Sequence, residues 1–299
     1  VNAKDYILSQ VSNYDFVLIN EAHYSSQHRE FAASLLSALY HQHGFRYLAP
    51  EALSSKDSSL ERRGYANIHT GYYIDDPSFG NMINEALRLG YQLIPYESNK
   101  YRQGSLRDLD QAQNIFRQTK ALDSNAKVLI YAGYSHINEC CLDDPYVPLG
   151  ARLKEMAGED ILTIDQVEMT GFLTGDKESQ YYKYILDSLG EQITSPSVIL
   201  NQKDSPILSP LGKNNFDIQL YHPRTQFVHG RPSWLIRNRN FYPIPVELKK
   251  WMGQLLSIVY LWQPEDAVPV EQFVLEEDGK HLLLTSGEYR ARIINCDGE

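Results

Sequence analysis

Residues 15–30 read DFVLINEAHYSSQHRE. Phe16 to Ile19 form an apolar run without alternation, as in a strand covered on both faces of a parallel sheet. A carboxylate, Glu21, and two imidazoles, His23 and His28, follow at once. From about Ser26 to His43 the spacing predicts a helix with Phe31, Leu35, Leu36 and Leu39 on one face, and Gly44 stops it. The stretch is thus one strand and one helix, with ionisable groups at the junction.

The same unit repeats outward along the chain. YLAPEAL (47–53) is a second strand, FGNMINEALRLG (79–90) a helix, and YQLIPYE (91–97) a third strand. The helix SLRDLDQAQNIFRQTKAL (105–122) precedes the strongly apolar KVLIYAG (127–133); LGARLKEMAG (149–158) and DILTIDQVE (160–168) add a helix and a fifth strand. Four or five βα units in a row predict an α/β fold, a mostly parallel sheet with helices on both faces. Beyond about residue 200 the rhythm is lost, and Pro206, Pro210, Pro223, Pro232, Pro243 and Pro245 punctuate short segments. VELKKWMGQLLSIVYLW (246–262) is expected to be an amphipathic helix, and EEDGK (276–280) a hairpin turn in an alternating tail. The expected organisation is a core over residues 1–200 that carries the site. Residues 201–299 would be a C-terminal lid or subdomain packed on it rather than an independent domain.

Composition narrows the partners. With 299 residues and 42% apolar content, the chain can bury a sizeable core. The 28 basic residues against 38 acidic ones give a formal net charge of −10, which argues against nucleic acid and anionic membrane as partners and favours a small-molecule substrate or ligand. No apolar run reaches the ~20 residues that span a bilayer, so a soluble protein is expected. The chain opens at Val1 without a leader pattern, which leaves a cytoplasmic location and export with removal of a leader both open. Cys140, Cys141 and Cys296 match neither a disulfide framework nor a CxxC metal pattern.

Ligands of open parallel sheets bind beyond the carboxyl ends of the strands. There the first strand delivers Glu21 and His23, the second Glu51, the third Glu97, and the fourth Gly133 with His136 just past it. Converging buried carboxylates are unfavourable unless a metal, a cation or a ligand balances them, so this edge is the candidate site. Glu21, His23, Glu51 and His136 could hold Zn, Mn, Fe or Co, whose bound water would be acidic enough to attack. An imidazole beside carboxylates could equally act on water as a general base. The residues do not separate these two chemistries.

Plainer roles stand beside these. Glu51 or Glu97 could cap a helix or pair with arginine, and His136 could bond a carbonyl in a turn. His28 and Arg29 read as a solvated or salt-bridged helix face. His41 and His43 suit a helix C-terminus, and His69, His222 and His281 read as structural. FVHGRPSWLIRNRN (227–240) concentrates Arg231, Trp234, Arg237 and Arg239, which could serve an anionic or sugar-like ligand but reads better as a surface hairpin with ion pairs.

FVLINEAH with HRE (16–30), YLAPEAL, SLRDLDQAQNIF (105–116), KVLIYAGYSHINE (127–139) and VPLGARLKE (147–155) resemble the superfamily of erythromycin esterase-like proteins, ChaN-like haem-uptake proteins and Tiki-type metalloproteases. The resemblance spans roughly residues 14–170. It implies an α/β fold with functional roles for Glu21 and His23, for Glu51, for His136 in AGYSH, and for Arg107 and Asp108 as a polar pair opening a helix. It implies a hydrolase acting on an ester or amide, with Arg107 steadying an oxyanion, or alternatively a non-catalytic haem- or metal-binding protein. Asn20 stands where those families usually carry Gly, and Tyr134 and Ser135 depart from their pattern before the histidine.

Overall fold

β1 (Phe16–Glu21) is buried over its whole length and sends alternate side chains to opposite sides of a sheet. Val17 and Ile19 join an apolar core with Leu35, Leu36 and Leu39 of α2 (Ser26–His43) and Phe79, Met82 and Ile83 of α4 (Pro77–Leu89). Phe16 and Leu18 join a second core with Ile115 of α5 (Ser105–Gln118) and Leu149 and Leu153 of α6 (Leu149–Ala157). A strand with helices on both sides has no solvated face, which is why its apolar run does not alternate. This computed structural model describes residues 1–299 except 99–101, 141–144, 173–174, 190–192, 277–278 and 296–299, so Cys141 and Cys296 lie outside the described residues.

The sheet has seven strands in the order β3-β2-β4-β1-β5-β7-β6. These are β2 (Tyr47–Pro50), β3 (Gln92–Leu93), β4 (Val128–Gly133), β5 (Leu162–Asp165), β6 (Ser197–Val198) and β7 (Ile218–Tyr221). All neighbours pair in parallel except β6, which runs antiparallel to β7. The chain steps from β1 past one empty lane to β2 and β3, then returns to fill the lane with β4. The carboxyl ends of β2, β4 and β1 therefore lie side by side, with Glu21 in register with Gly133. The expected mostly parallel α/β architecture is present, and the sheet takes β7 from beyond residue 200. The remaining helices are α1 (Ala3–Gln10), α3 (Leu60–Arg63) and α7 (Gln180–Leu189).

The C-terminal part is built of small antiparallel sheets. β8 (Phe227–Val228) and β9 (Arg231–Pro232) form the hairpin expected in FVHGRPSW, and its arginines pair with Glu271, Glu85 and Glu30 through Arg231, Arg237 and Arg239. β10 (Asn240–Pro243) pairs with β13 (His281–Leu284); β11 (Leu255–Tyr260) lies between β12 (Glu271–Val274) and β14 (Tyr289–Ile294).

Two expectations fail here. Residues 246–262 are not one helix: Val246–Trp251 is a 3-10 segment, Gly253 turns the chain at φ 85°, and Leu255–Tyr260 is the central strand of its sheet. Leu-Leu-Ser-Ile-Val-Tyr satisfies either period over so short a span, and the two flanking strands decide for β. EEDGK does not close a hairpin either, since β12 pairs with β11 and β13 with β10; Glu277 and Asp278 lie outside the described residues. The helix expected over 105–122 ends at Gln118, and the fifth strand is the four-residue β5.

Candidate functional site

Glu21 closes β1 as a carboxylate that is 2% exposed. Its two oxygens accept from Arg29 Nε at 2.8 Å and Nη2 at 3.1 Å, from the Tyr131 hydroxyl at 2.8 Å, and pair with His23 Nδ1 at 2.8 Å. Burial alone would raise its pKa, but the hydrogen bonds of His23 and Arg29 and the guanidinium charge outweigh burial and hold it below the ordinary carboxylate value. Arg29 is itself buried on the first turn of α2, donates to the His23 carbonyl, and pairs with Asp76 at 3.1 Å. Asp76 also caps α4, accepting from Phe79 N, with Pro77 opening the helix behind it. A line of charges thus runs from the α4 cap through Arg29 and Glu21 to the His23 ring.

Glu51 follows β2 and accepts from the Gly133 amide at the end of β4 and from Arg107 Nη2 at 2.9 Å. Arg107, on the first turn of α5, also grips Glu97 beyond β3 and approaches His136 Nε2 to 3.2 Å through Nη1. His136 Nδ1 lies 2.9 Å from Asp108 Oδ2, which further accepts from the Tyr146 hydroxyl and the Leu149 amide. Burial would lower the His136 pKa, but the Asp108 hydrogen bond and the charges of Glu51 and Asp108 outweigh it and hold it above the ordinary imidazole value. Two histidine–carboxylate pairs, His23–Glu21 and His136–Asp108, therefore flank Glu51 and Arg107.

The backbone around His23 is strained. Ala52, Tyr73 and Tyr134 adopt φ of 68°, 61° and 48°, a left-handed region that costs residues with a Cβ of order 1–3 kcal/mol. Tyr73 stacks on the His23 ring at 4.6 Å and Tyr134 meets it edge-on at 4.9 Å, so the strained residues hold the imidazole plane. Gly133 leaves the space that ring occupies: a Cβ there would sit 2.3 Å from His23 Cε1 and 3.0 Å from Glu51 Oε2. Beside this point a cleft of about 380 Å³ is lined by Glu51, Tyr72, Tyr73, Glu97, Arg107 and Lys56. Among the described residues His23 Nε2 has no hydrogen-bond partner.

Glu21, His23, Glu51, His136 and Arg107 thus meet at the sheet edge, together with Asp108 and Glu97. The expectation of a solvated or salt-bridged face at His28 and Arg29 is corrected in its solvated half. Arg29 is an ion-paired interior residue, and His28 is buried between the Ala22 amide and the Thr170 hydroxyl. Asn20 is not left-handed but extended, donating to Tyr134 O and Asp165 Oδ1 and accepting from the Gln166 amide. Asp76, Tyr131 and Tyr146 carry no sequence signal as site residues, apart from the Asp-Pro start that marks Asp76 as a helix cap; Arg29 stands in the HRE stretch of the resemblance and is read from the sequence only as a solvated or salt-bridged helix face.

A divalent metal does not fit this donor set as arranged. Both oxygens of Glu21 are taken by Arg29, Tyr131 and His23, and both of Glu51 by Arg107 and a peptide N–H. Among the described residues, no group of three or more His, Cys, Asp or Glu is arranged to hold a metal ion. The buried carboxylates are balanced by guanidinium groups instead.

No protein-family model and no curated protein matches the chain. Two solved structures match the chain at low similarity. One, titled "Bacterial protein toxins", is 13% identical over 55% of this chain and 37% of its own, with a TM-score of 0.40, so the chain spans little more than a third of that protein. The other, the type III effector HopBA1, is 16% identical over 73% of this chain and 92% of its own, with a TM-score of 0.38. No helix among the described residues is long and apolar enough to cross a membrane.

Proposed function

We propose that the protein is a hydrolase that activates water at His23 and cleaves an ester or amide. The observation that carries this reading is the 2.8 Å contact of His23 Nδ1 with a Glu21 carboxylate that Arg29 and Tyr131 lock in place. Such a contact puts the ring proton on Nδ1 and leaves the Nε2 lone pair to accept. Nε2 takes a proton from water as the water oxygen attacks the substrate carbonyl carbon. The C=O electron pair moves onto oxygen and faces Arg107, whose guanidinium stabilises it. When the oxyanion collapses, the C–O or C–N bond breaks and the leaving alcohol or amine takes the proton back from His23, releasing a carboxylic acid. The resemblance of residues 14–170 to esterase-like proteins supports the same class of reaction.

The test is hydrolysis of p-nitrophenyl acetate, p-nitrophenyl butyrate and casein by the full chain and its variants. The reading expects turnover of at least one substrate, with His23→Ala and Glu21→Gln each lowering kcat on the order of 10²–10⁴-fold while far-UV dichroism is kept. No turnover of any of them, or wild-type rates in His23→Ala, overturns it.

A further inference from the structure

A second cavity, of about 560 Å³, opens between α4 and the C-terminal sheets, within the ~300–1,000 Å³ typical of small-ligand sites. We propose that it binds a carbohydrate ring. One wall is a stack of aromatic planes: Tyr289 on Tyr260 at 4.9 Å and 28°, and Tyr260 against Trp262 at 6.0 Å and 27°. The stack is held before any ligand arrives. The Tyr260 and Tyr289 hydroxyls both meet Thr285 Oγ1, at 3.2 and 3.0 Å, and Tyr65 braces Trp262 edge-on at 5.5 Å. Trp262 is nevertheless 67% exposed, a large apolar plane presented at the mouth of the cavity.

The wall is paired with polar groups. Gln263, next in the chain and 4% exposed, lines the cavity with its amide oxygen unpartnered among the described residues. A buried acceptor without a donor costs about 1–3 kcal/mol, which a turn of the Gln263 amide toward a ligand hydroxyl in the cavity would relieve. Asn84 also lines the cavity; its oxygen accepts from the Ala66 amide, which fixes the amide plane and leaves its NH₂ to donate. Of the lining arginines, Arg237 is neutralised by Glu85 and Arg239 by Glu30, which leaves Arg88 as the one without an ion pair among the described residues, too little charge for a polyanion. An aromatic plane beside fixed amide donors and acceptors matches the alternating C–H face and hydroxyl rim of a pyranose. The site shares no lining residue with the cleft beside Glu51 and Arg107 and does not depend on the chemistry proposed there.

The experiment is saturation-transfer NMR with tryptophan-fluorescence titration of the full chain against glucose, mannose, galactose, N-acetylglucosamine and maltose. Saturable binding of at least one sugar is expected, with Trp262→Ala and Gln263→Leu each raising Kd tenfold or more, a change of about 1.4 kcal/mol. His23→Ala should leave Kd unchanged. No saturable binding of any of these sugars overturns the proposal, as does binding that survives Trp262→Ala with unaltered Kd.

Discussion

Arg29 Nε lies 2.8 Å from Glu21 Oε2, and each side chain is no more than 3% exposed. Arg29→Met would leave Glu21 buried without its counter-ion, a loss of about 3–5 kcal/mol. Urea unfolding of this variant is expected to show that loss. A change below about 1 kcal/mol would mean that Tyr131 and His23 satisfy Glu21 alone.

Gly133 marks the tightest point of the site. Gly133→Ala places a methyl group against the His23 ring, which must shift from its stacked position on Tyr73. Overpacking of this kind costs about 1–3 kcal/mol in stability. Hydrolysis should fall far more steeply than stability does. Wild-type rates in Gly133→Ala would show that the position of the imidazole is immaterial.

His28 and His222 form a buried pair whose rings are 5.3 Å apart. Burial pushes His222 down to about 3, and burial, with the charges of His222 and Arg29, pushes His28 well below its ordinary value. Below about pH 6.5 the unfolded chain takes up these protons and the folded one does not, so stability present above that pH is lost on acidification. Each histidine contributes a slope of about 1.4 kcal/mol per pH unit down to its folded pKa. The stability gap between wild type and His222→Gln should therefore narrow as pH falls from 6.5 to 4.5. Parallel curves would contradict neutral burial.

Asn20→Gly tests what the Asn20 side chain contributes at the end of β1. It removes the donor to Asp165, which burial already drives above the ordinary carboxylate value, and the acceptor for the Gln166 amide. A loss of about 1–3 kcal/mol is expected in thermal or urea unfolding. A stabilised variant would show that Asn20 is only tolerated.

The parts that were legible in the sequence are those whose cause is local. Phe16–Ile19, Val128–Ala132 and the face of α2 declare themselves by periodicity, and Glu21, Glu51 and His136 by standing at strand ends. The ion pairing of Arg29 is one of the two roles the sequence offers, but its burial is not legible, because a first-turn arginine usually faces water. It turns inward here only because Glu21, eight residues earlier, must be neutralised at the point where β1 is covered. The strand at Leu255–Tyr260 depends on partners near residues 271–274 and 289–294, beyond the reach of any local pattern. Tyr146 reaches Asp108 across 38 positions and likewise has no local signature.

Asp76 holds the first turn of α4 with one side of its carboxylate and Arg29 with the same group. Fraying of that turn would free Asp76 and take away one of the two carboxylates that hold Arg29 beside Glu21. The first turn of α4 therefore ties helix docking to the site: if His23 is the base proposed above, a molecule that has not docked this helix is also one whose imidazole is less firmly held.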